Sequence, residues 1–303
     1  NPSGKLTDTW PVNFSDNPSS AGFANQDGNT AQELYNDDIF VGYRYYDTFG
    51  KDVSYAFGYG GSYTTFAMST KSVKADKDKV TVQVKVKNTG SVSGKEVAEV
   101  YFSAPDGDLD KPYQELVGYA KTDELAPGES QILTISFDTS EMGSYDTAKA
   151  AYVMEDGDYI IRVGNSSRNT HVAGKISVAE DTITEQYSNL MVPVTENPNI
   201  KNDDKYPTLN PMTTDGATPI TYAGEEAEIA AASTIDVDFS DYKAPVIKKE
   251  NEDVTVYTSD TTEEKYLIAE NKDGATGTVS RVEKANANNT DYSVTYQEHV
   301  KKF

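Results

Sequence analysis

Val80-Thr81-Val82-Gln83-Val84-Lys85-Val86-Lys87 carries valine at every second position, and Asn88-Thr89-Gly90 follows directly. Such alternation puts one side-chain face on a core and the other in water, the pattern of a half-buried strand. Asn-Thr-Gly supplies the turn that ends it. Outward from this strand the pattern repeats. Val97 to Phe102 is a second apolar run, and Glu115 to Tyr119 is a third strand candidate. Leu125-Ala126-Pro127-Gly128 marks a turn, after which Leu133, Ile135 and Phe137 alternate with Thr134 and Ser136. Asp156-Gly157 turns again, and Tyr159, Ile161 and Val163 alternate after it. Short strands separated by regular turns predict an antiparallel β-sandwich over about Thr64 to Glu180. Asp158-Tyr159 reads either as a tyrosine corner, its hydroxyl bonded to nearby backbone, or as an ordinary strand tyrosine.

The flanks read differently. From Asn1 to about Phe66 neither a period of 2 nor one of 3.6 persists, and Pro, Gly, Asn and Ser punctuate loops. A stretch like this is not expected to build a core of its own. Its aromatics (Trp10, Phe14, Phe40, Tyr43, Tyr45, Tyr46, Phe57, Tyr59, Tyr63) are expected to pack on a scaffold, much of it upstream of Asn1. From Asp181 onward a Pro- and Asn-rich linker comes first. Gly224 to Ala232 is a weak helix candidate, with acids in its first turn. Short strand candidates follow at Val254–Thr258, Tyr266–Ala269, Thr278–Val282 and Tyr292–Tyr296. They predict either a small β module or a partly ordered insertion.

Composition narrows the function. The 303 residues allow about two or three domains. Lys plus Arg total 27 against 49 Asp plus Glu, a net charge of −22. That balance excludes a nucleic-acid binder, which needs a basic face, and disfavours an anionic membrane surface. There is no cysteine, so disulfides, thiolate catalysis and cysteine zinc sites are excluded. His171 and His299 are the two histidines, and both read as surface or loop residues rather than as members of a catalytic or metal site. No run approaches the roughly 18 apolar residues of a membrane span. The first residue is Asn1, and no signal peptide follows it, so the expectation is a processed chain or a piece of a longer one.

Several segments carry a resemblance. Asn1-Pro2-Ser3-Gly4-Lys5-Leu6, Phe40 to Asp47 (FVGYRYYD), Phe57 to Phe66 (FGYGGSYTTF), Val86 to Gly90 with Gly94 to Val97 and Tyr101, Pro112 to Gly118 (PYQELVG) and Tyr159 to Ser167 (YIIRVGNSS) occur in this order. Together they resemble the C-terminal part of glycoside hydrolase family 3, the β-glucosidase family. Thr7 and Gly61 depart from it, standing where the family usually has Pro and Leu. A missing buried Leu removes an anchor of about 2–3 kcal/mol.

The resemblance implies a mainly β fold: the irregular tail of an α/β sandwich domain (1–66), a fibronectin type III-like β-sandwich (67–180), a linker (181–223) and an insertion or accessory segment (224–303). Ile183 to Asn189 (ITEQYSN) resembles the link of members with reversed domain order, in which a (β/α)8 barrel follows; that order is the preferred expectation. In the ordinary order the last segment is a C-terminal accessory module. Members are retaining glycosidases that use two carboxyl groups about 5–5.5 Å apart. The resemblance places both upstream of the NPSG segment or in the barrel, so no catalytic residue, metal ligand or cofactor is assigned here, and substrate-binding residues stay unassigned. The chain alone is expected to be inactive. The implied partners are an oligosaccharide or β-glucoside substrate of the parent enzyme and the parent's catalytic domains, with no nucleic acid and no membrane. Lack of cysteine suits a bacterial cytoplasm and secretion alike.

Residue readings beside the resemblance stay local. The tyrosines of VGYRYYD read as packing, with a sugar-stacking platform as the rival. Arg44 is expected to pair with Asp47 or Asp37 as a structural ion pair. Asp106, Asp108 and Asp110 alternate like a calcium loop but lack its bidentate Glu, and read as an exposed turn. Asp37-Asp38 reads as a solvated loop or cap. Asn13, Asn165 and Asn288 open glycosylation-type triplets that are common by chance. The rival to the enzyme reading is a non-catalytic β-sandwich that binds carbohydrate or serves surface adhesion.

Overall fold

A computed structural model describes residues 4–23, 37–187, 212–214, 217–220, 222 and 224–245, together with the backbone of four later strands. Asn1, Pro2, Ser3, the linker from 188, the Asn288 triplet and His299 lie outside the described residues. The chain divides into two compact units, Asn1–Glu185 with Pro193–Ala244, and Gln186–Val192 with Pro245–Phe303.

In the first unit the elements are β1 (Trp10–Pro11), α1 (Tyr43–Thr48), β2 (Val53–Tyr55), β3 (Phe66–Ala75), β4 (Lys79–Asn88), β5 (Val97–Ser103), β6 (Glu115–Lys121), β7 (Ser130–Asp138), β8 (Ser144–Asp146), β9 (Ala151–Met154), β10 (Gly157–Gly164), β11 (Thr170–Val178), β12 (Thr182–Gln186), α2 (Glu225–Ala231) and β13 (Thr234–Val237). A three-stranded sheet β3-β4-β7 faces a five-stranded sheet β13-β11-β10-β5-β6. The valines of β4 are all fully buried. They stand opposite Phe137, Ile135 and Leu133 of β7 in register and share one core with Val100, Ile161 and Ile176 of the second sheet. Burial of each such side chain contributes about 1.5–3 kcal/mol. The exposed partners Thr81 and Ser136 meet on the wet face at 3.0 Å.

Alternation in β5 and β10 has a further consequence. Ala98, Val100 and Phe102 face the core, so Glu99, Tyr101 and Ser103 point to the other side of the sheet. These three, and Arg162 of β10, are nevertheless buried. Something covers the outer face, which is why β5 reads as a run rather than a clean alternation. Bulges fall between Val100 and Tyr101 against β6, and between Ile161 and Arg162 against β11. Bulges re-aim side chains, and here they set the aim of the two largest groups on that face.

The covering layer comprises the described residues of the amino-terminal region and of 212–244. The first contains a helix that the sequence pattern did not show: α1, six residues long, whose Tyr45 and Tyr46 pack with Phe40 into a small cluster of their own. Phe49, Val53 and Met212 complete that cluster. α2 and β13 lie on the sandwich, with β13 parallel to β11 (Lys175↔Thr234 to Val178↔Val237) and Val237 in the main core.

In the second unit β14 (Val254–Thr258), β15 (Leu267–Asn271), β16 (Thr278–Lys284) and β17 (Tyr292–Glu298) form an antiparallel four-stranded meander in sequence order.

Candidate functional site

The outer face of β10-β5-β6 is the densest set of buried charge in the described residues, and the matched segments converge on it. Asp47, at the end of α1, is 1% exposed. Arg168 Nε donates to its Oδ1 at 2.8 Å, and Gln114 Nε2 to Oδ2 at 3.2 Å. Arg168 also donates to the carbonyls of Tyr46 (3.2 Å) and Lys51 (2.6 Å), placing a cation at the carbonyl end of the helix. Burial raises the Asp47 carboxyl above the usual range, opposed by Arg168, Ser167 and Gln114.

Beside it, Tyr101 donates to Glu99 Oε2 at 2.6 Å. Burial raises the Glu99 carboxyl and pushes the Tyr101 hydroxyl far up, where the Glu99 charge adds to the shift. Gly58 sits on this carboxylate: a Cβ there would lie 2.4 Å from Oε2, at a φ of +77°. The Leu6 amide donates to Tyr59 O and the Gly58 amide to Leu6 O, both at 2.9 Å, so two of the matched segments hold each other. Lys5 pairs with Glu96 at 3.0 Å and donates to Asn165 O at 2.7 Å. The Ser167 amide donates to Phe57 O at 2.9 Å.

Arg44 pairs with Glu115 of β6 at 3.2 Å, not with Asp47 or Asp37. The reason is geometric: Asp47 already belongs to Arg168, and Glu115 lies across the joint. Burial raises the Glu115 carboxyl, and Arg44 opposes it. Tyr43 accepts the Leu116 amide at 2.8 Å, packs on Phe57 at 4.8 Å between centroids, and is pushed up to about 12 by burial. The tyrosines of VGYRYYD are therefore packing groups rather than an open sugar platform.

Other singled-out residues find ordinary places. Tyr159 donates to Glu155 O at 3.2 Å, the tyrosine-corner bond. The Asp106–Asp110 turn wraps the Glu155 carboxylate, which accepts the Asp108 amide at 2.7 Å and pairs with Lys111. Among the described residues no group of three acids or histidines is placed to hold a metal ion. His171 lies within β11 rather than in a loop; its Nε2 meets Thr70 Oγ1 at 3.0 Å, and burial lowers its pKa. Asn88 of the NTG turn accepts from Thr64 (2.8 Å) and Gly90 (3.0 Å) and donates to Val92 O and Leu125 O (2.8 Å each), filling its hydrogen-bonding capacity. At Gly60 and Gly61 a cleft of about 210 Å³ opens toward Ser93, Glu96 and Lys121. Arg168, Glu115 and Glu225 escaped the sequence reading, because nothing local marks a partner so far along the chain.

Every acid on this face is held by a cation or a tyrosine. The arrangement can glue two layers; it presents no free pair of carboxyls to a bond. Residues 96–167 match the fibronectin type III-like domain family. β-Glucosidase A of Butyrivibrio fibrisolvens is 41% identical over 216 residues, covering 64% of this chain and 26% of that protein. A solved β-glucosidase from Paenibacillus barengoltzii aligns with a TM-score of 0.57 at 46% identity, covering 62% of this chain and 21% of that one. β-Glucosidase 3B of Thermotoga neapolitana, in complex with α-D-glucose, gives 0.56 at 45% identity, with 60% and 25% covered. The class is thus a sandwich similar to the fibronectin type III-like domain, flanked by segments similar to β-glucosidases. Over about 60% of its length the chain resembles the C-terminal region of glycoside hydrolase family 3 β-glucosidases. It spans between 21% and 26% of the length of these relatives.

Proposed function

We propose that this chain is part of a retaining β-glucosidase-type enzyme that hydrolyses terminal non-reducing β-linked sugars. It supplies the structural module and the interface elements, not the catalytic carboxylates. The observation that carries this reading is the buried polar face: Asp47, Glu96, Glu99, Glu115 and Glu225 are each engaged by Arg168, Lys5, Tyr101, Arg44 or Arg162. Such a joint fixes one layer on another and leaves no acid free for proton transfer. In this reading 1–66 is the tail of an α/β sandwich domain, 67–180 the fibronectin-like module, 181–223 a linker, and 224–303 an insertion or accessory segment ahead of a (β/α)8 barrel. In this reading the exposed Trp10, Val12, Phe14 and Phe23 face the rest of the parent.

The test is hydrolysis of p-nitrophenyl β-D-glucoside by the 303-residue chain and by the product of the whole reading frame that encodes it. The chain alone stays at the buffer rate, and the longer product turns over. Deleting Thr64–Glu180 from the longer product lowers its melting temperature. Turnover by the chain alone, or unchanged melting and activity of the deletion, overturns the reading. Exposed Tyr63 and Tyr119 favour the binding-module alternative; retardation of the chain in a β-glucan gel, lost in Tyr119→Ala, is the result that selects it.

A further inference from the structure

The outer sheet edge and the segment that covers it have the anatomy of a receptor and its peptide. Arg162 is 3% exposed, and its Nε donates to Ser103 Oγ at 2.8 Å. Its guanidinium lies 4.9 Å from the Tyr113 ring centroid and pairs with Glu225. The Tyr113 hydroxyl is 2.8 Å from both Glu225 oxygens, and the Tyr222 amide donates to Oε2 at 3.0 Å. Burial raises the Glu225 carboxyl, but Tyr222, Tyr113 and Arg162 outweigh it, and its pKa falls below the ordinary value. Arg162, Tyr113 and Ser103 belong to the sandwich, and only Glu225 and Tyr222 come from the covering segment.

Beyond this anchor the contact runs along the backbone of β11. Glu228 Oε2 accepts the Val172 amide at 2.9 Å, and Ser233 O accepts the Lys175 amide at 2.9 Å. β13 then adds in parallel to β11 and sends Val237 into the core. Main-chain pairing along a sheet edge supplies affinity, and a side-chain pocket supplies selectivity, the division found in peptide recognition by strand addition.

We propose that the β11 edge and the Arg162–Tyr113 pocket form a docking groove for an acidic helix-then-strand peptide, with residues 219–240 as its occupant in cis. The hold is non-covalent, so the occupant exchanges with the same peptide supplied in trans. The covalent tether raises the effective concentration of the cis peptide at the groove. Weakening the Glu225 anchor therefore opens the groove to a competitor. This inference stands on the groove alone, whatever reaction the parent catalyses.

The test uses the full chain, wild type and Glu225→Gln, in two measurements. Hydrogen exchange reads the amides of 225–237, which in Glu225→Gln lose protection at least tenfold while those of β4 keep theirs. A fluorescein-labelled synthetic peptide of residues 219–240 then binds the Glu225→Gln chain at least tenfold more tightly than the wild type, whose own segment competes. A peptide carrying Glu225→Gln binds at least tenfold more weakly than its parent. Unchanged protection of 225–237, or equal binding or none to the two chains, overturns the proposal. Arg162→Lys, which keeps the charge but not the fork, repeats the loss of peptide binding from the receptor side.

Discussion

Gly58→Ala puts the joint under direct test. Gly58 has a φ of +77°, and a Cβ there would lie 2.4 and 2.6 Å from the Glu99 oxygens and 2.8 Å from its Cδ. Two costs follow. An L-residue in the left-handed region costs about 1–2 kcal/mol. The methyl must also displace the carboxylate, and the movable end of Glu99 is the part bonded to Tyr101 at 2.6 Å. Loss of that charge-assisted bond, buried on both sides, costs about 1.5–3 kcal/mol. The sum is about 2.5–5 kcal/mol, or a fall of roughly 5–20 °C in melting temperature for a unit of this size. The assay is urea unfolding followed by tyrosine fluorescence, run on Gly58→Ala, Glu99→Ala and the double variant. With Glu99 already gone, Gly58→Ala retains only its backbone cost, so the cycle gives a coupling of about 1.5–3 kcal/mol. If Gly58→Ala costs the same with and without Glu99, the close approach is not what demands glycine.

Other perturbations probe neighbouring parts. Asp47→Asn leaves Arg168 without its carboxylate in a nearly closed site; discounted for the partly exposed guanidinium, the loss is about 2–3 kcal/mol in the same unfolding assay. Gly61→Leu, at a backbone with no positive φ, fills the cleft beside Ser93 and Lys121 and stabilises by about 1–2 kcal/mol, read as a higher melting temperature. Asp47, Glu99 and Glu115 have folded pKa values raised from 3.8, 4.5 and 4.5, so the folded state takes up protons first as pH falls. Their contribution is complete below those unfolded values and is lost as pH rises through the folded ones. Glu225, lowered from 4.5, keeps its contribution above that value and loses it only as pH falls through its folded pKa. The Glu99 contribution to unfolding free energy therefore rises as pH falls through its raised folded pKa toward 4.5, and that rise is absent in Glu99→Gln.

The legibility of the sequence follows the physics of burial. β4 and β7 were readable because one face is wet, so their periods are clean. β5 was readable as an apolar run and β10 as an alternation, though the cover on their outer face was not. β3 and β11 were missed: FAMSTKSVKA and THVAGKISV mix Ser, Thr, Lys and Gly at half-buried positions, and each carries or adjoins a bulge. α1 has six residues, too few to display a 3.6 period. The strands of the second unit were found within a few residues. The joint was legible only as a set of segments resembling a family. Asp47 and Arg168 stand 121 residues apart, and no local pattern announces a bond over that distance.

That separation also explains why the resembling segments are short and scattered. Five of them place one to three groups each on a single polar face: Lys5 and Leu6 from the first, Tyr43, Arg44 and Asp47 from the second, Gly58 from the third, Tyr113, Gln114 and Glu115 from PYQELVG, Arg162 and Ser167 from YIIRVGNSS. An apolar joint would accept many substitutions of similar volume. A buried ionic one does not, because removal of one partner strands the other at a cost of about 3–5 kcal/mol. Here orientation is the property at stake. A layer held by paired charges and single hydrogen bonds has one register, whereas a greasy contact can slide. A joint built this way suits a module whose task is to hold two parts of an enzyme in fixed relation. Replacing the Asp47–Arg168 pair by Leu and Met of similar size is the decisive comparison. Stability kept with increased exchange of α1 amides shows that the charges specify position, whereas stability lost in proportion to exchange shows that they chiefly hold the layers together.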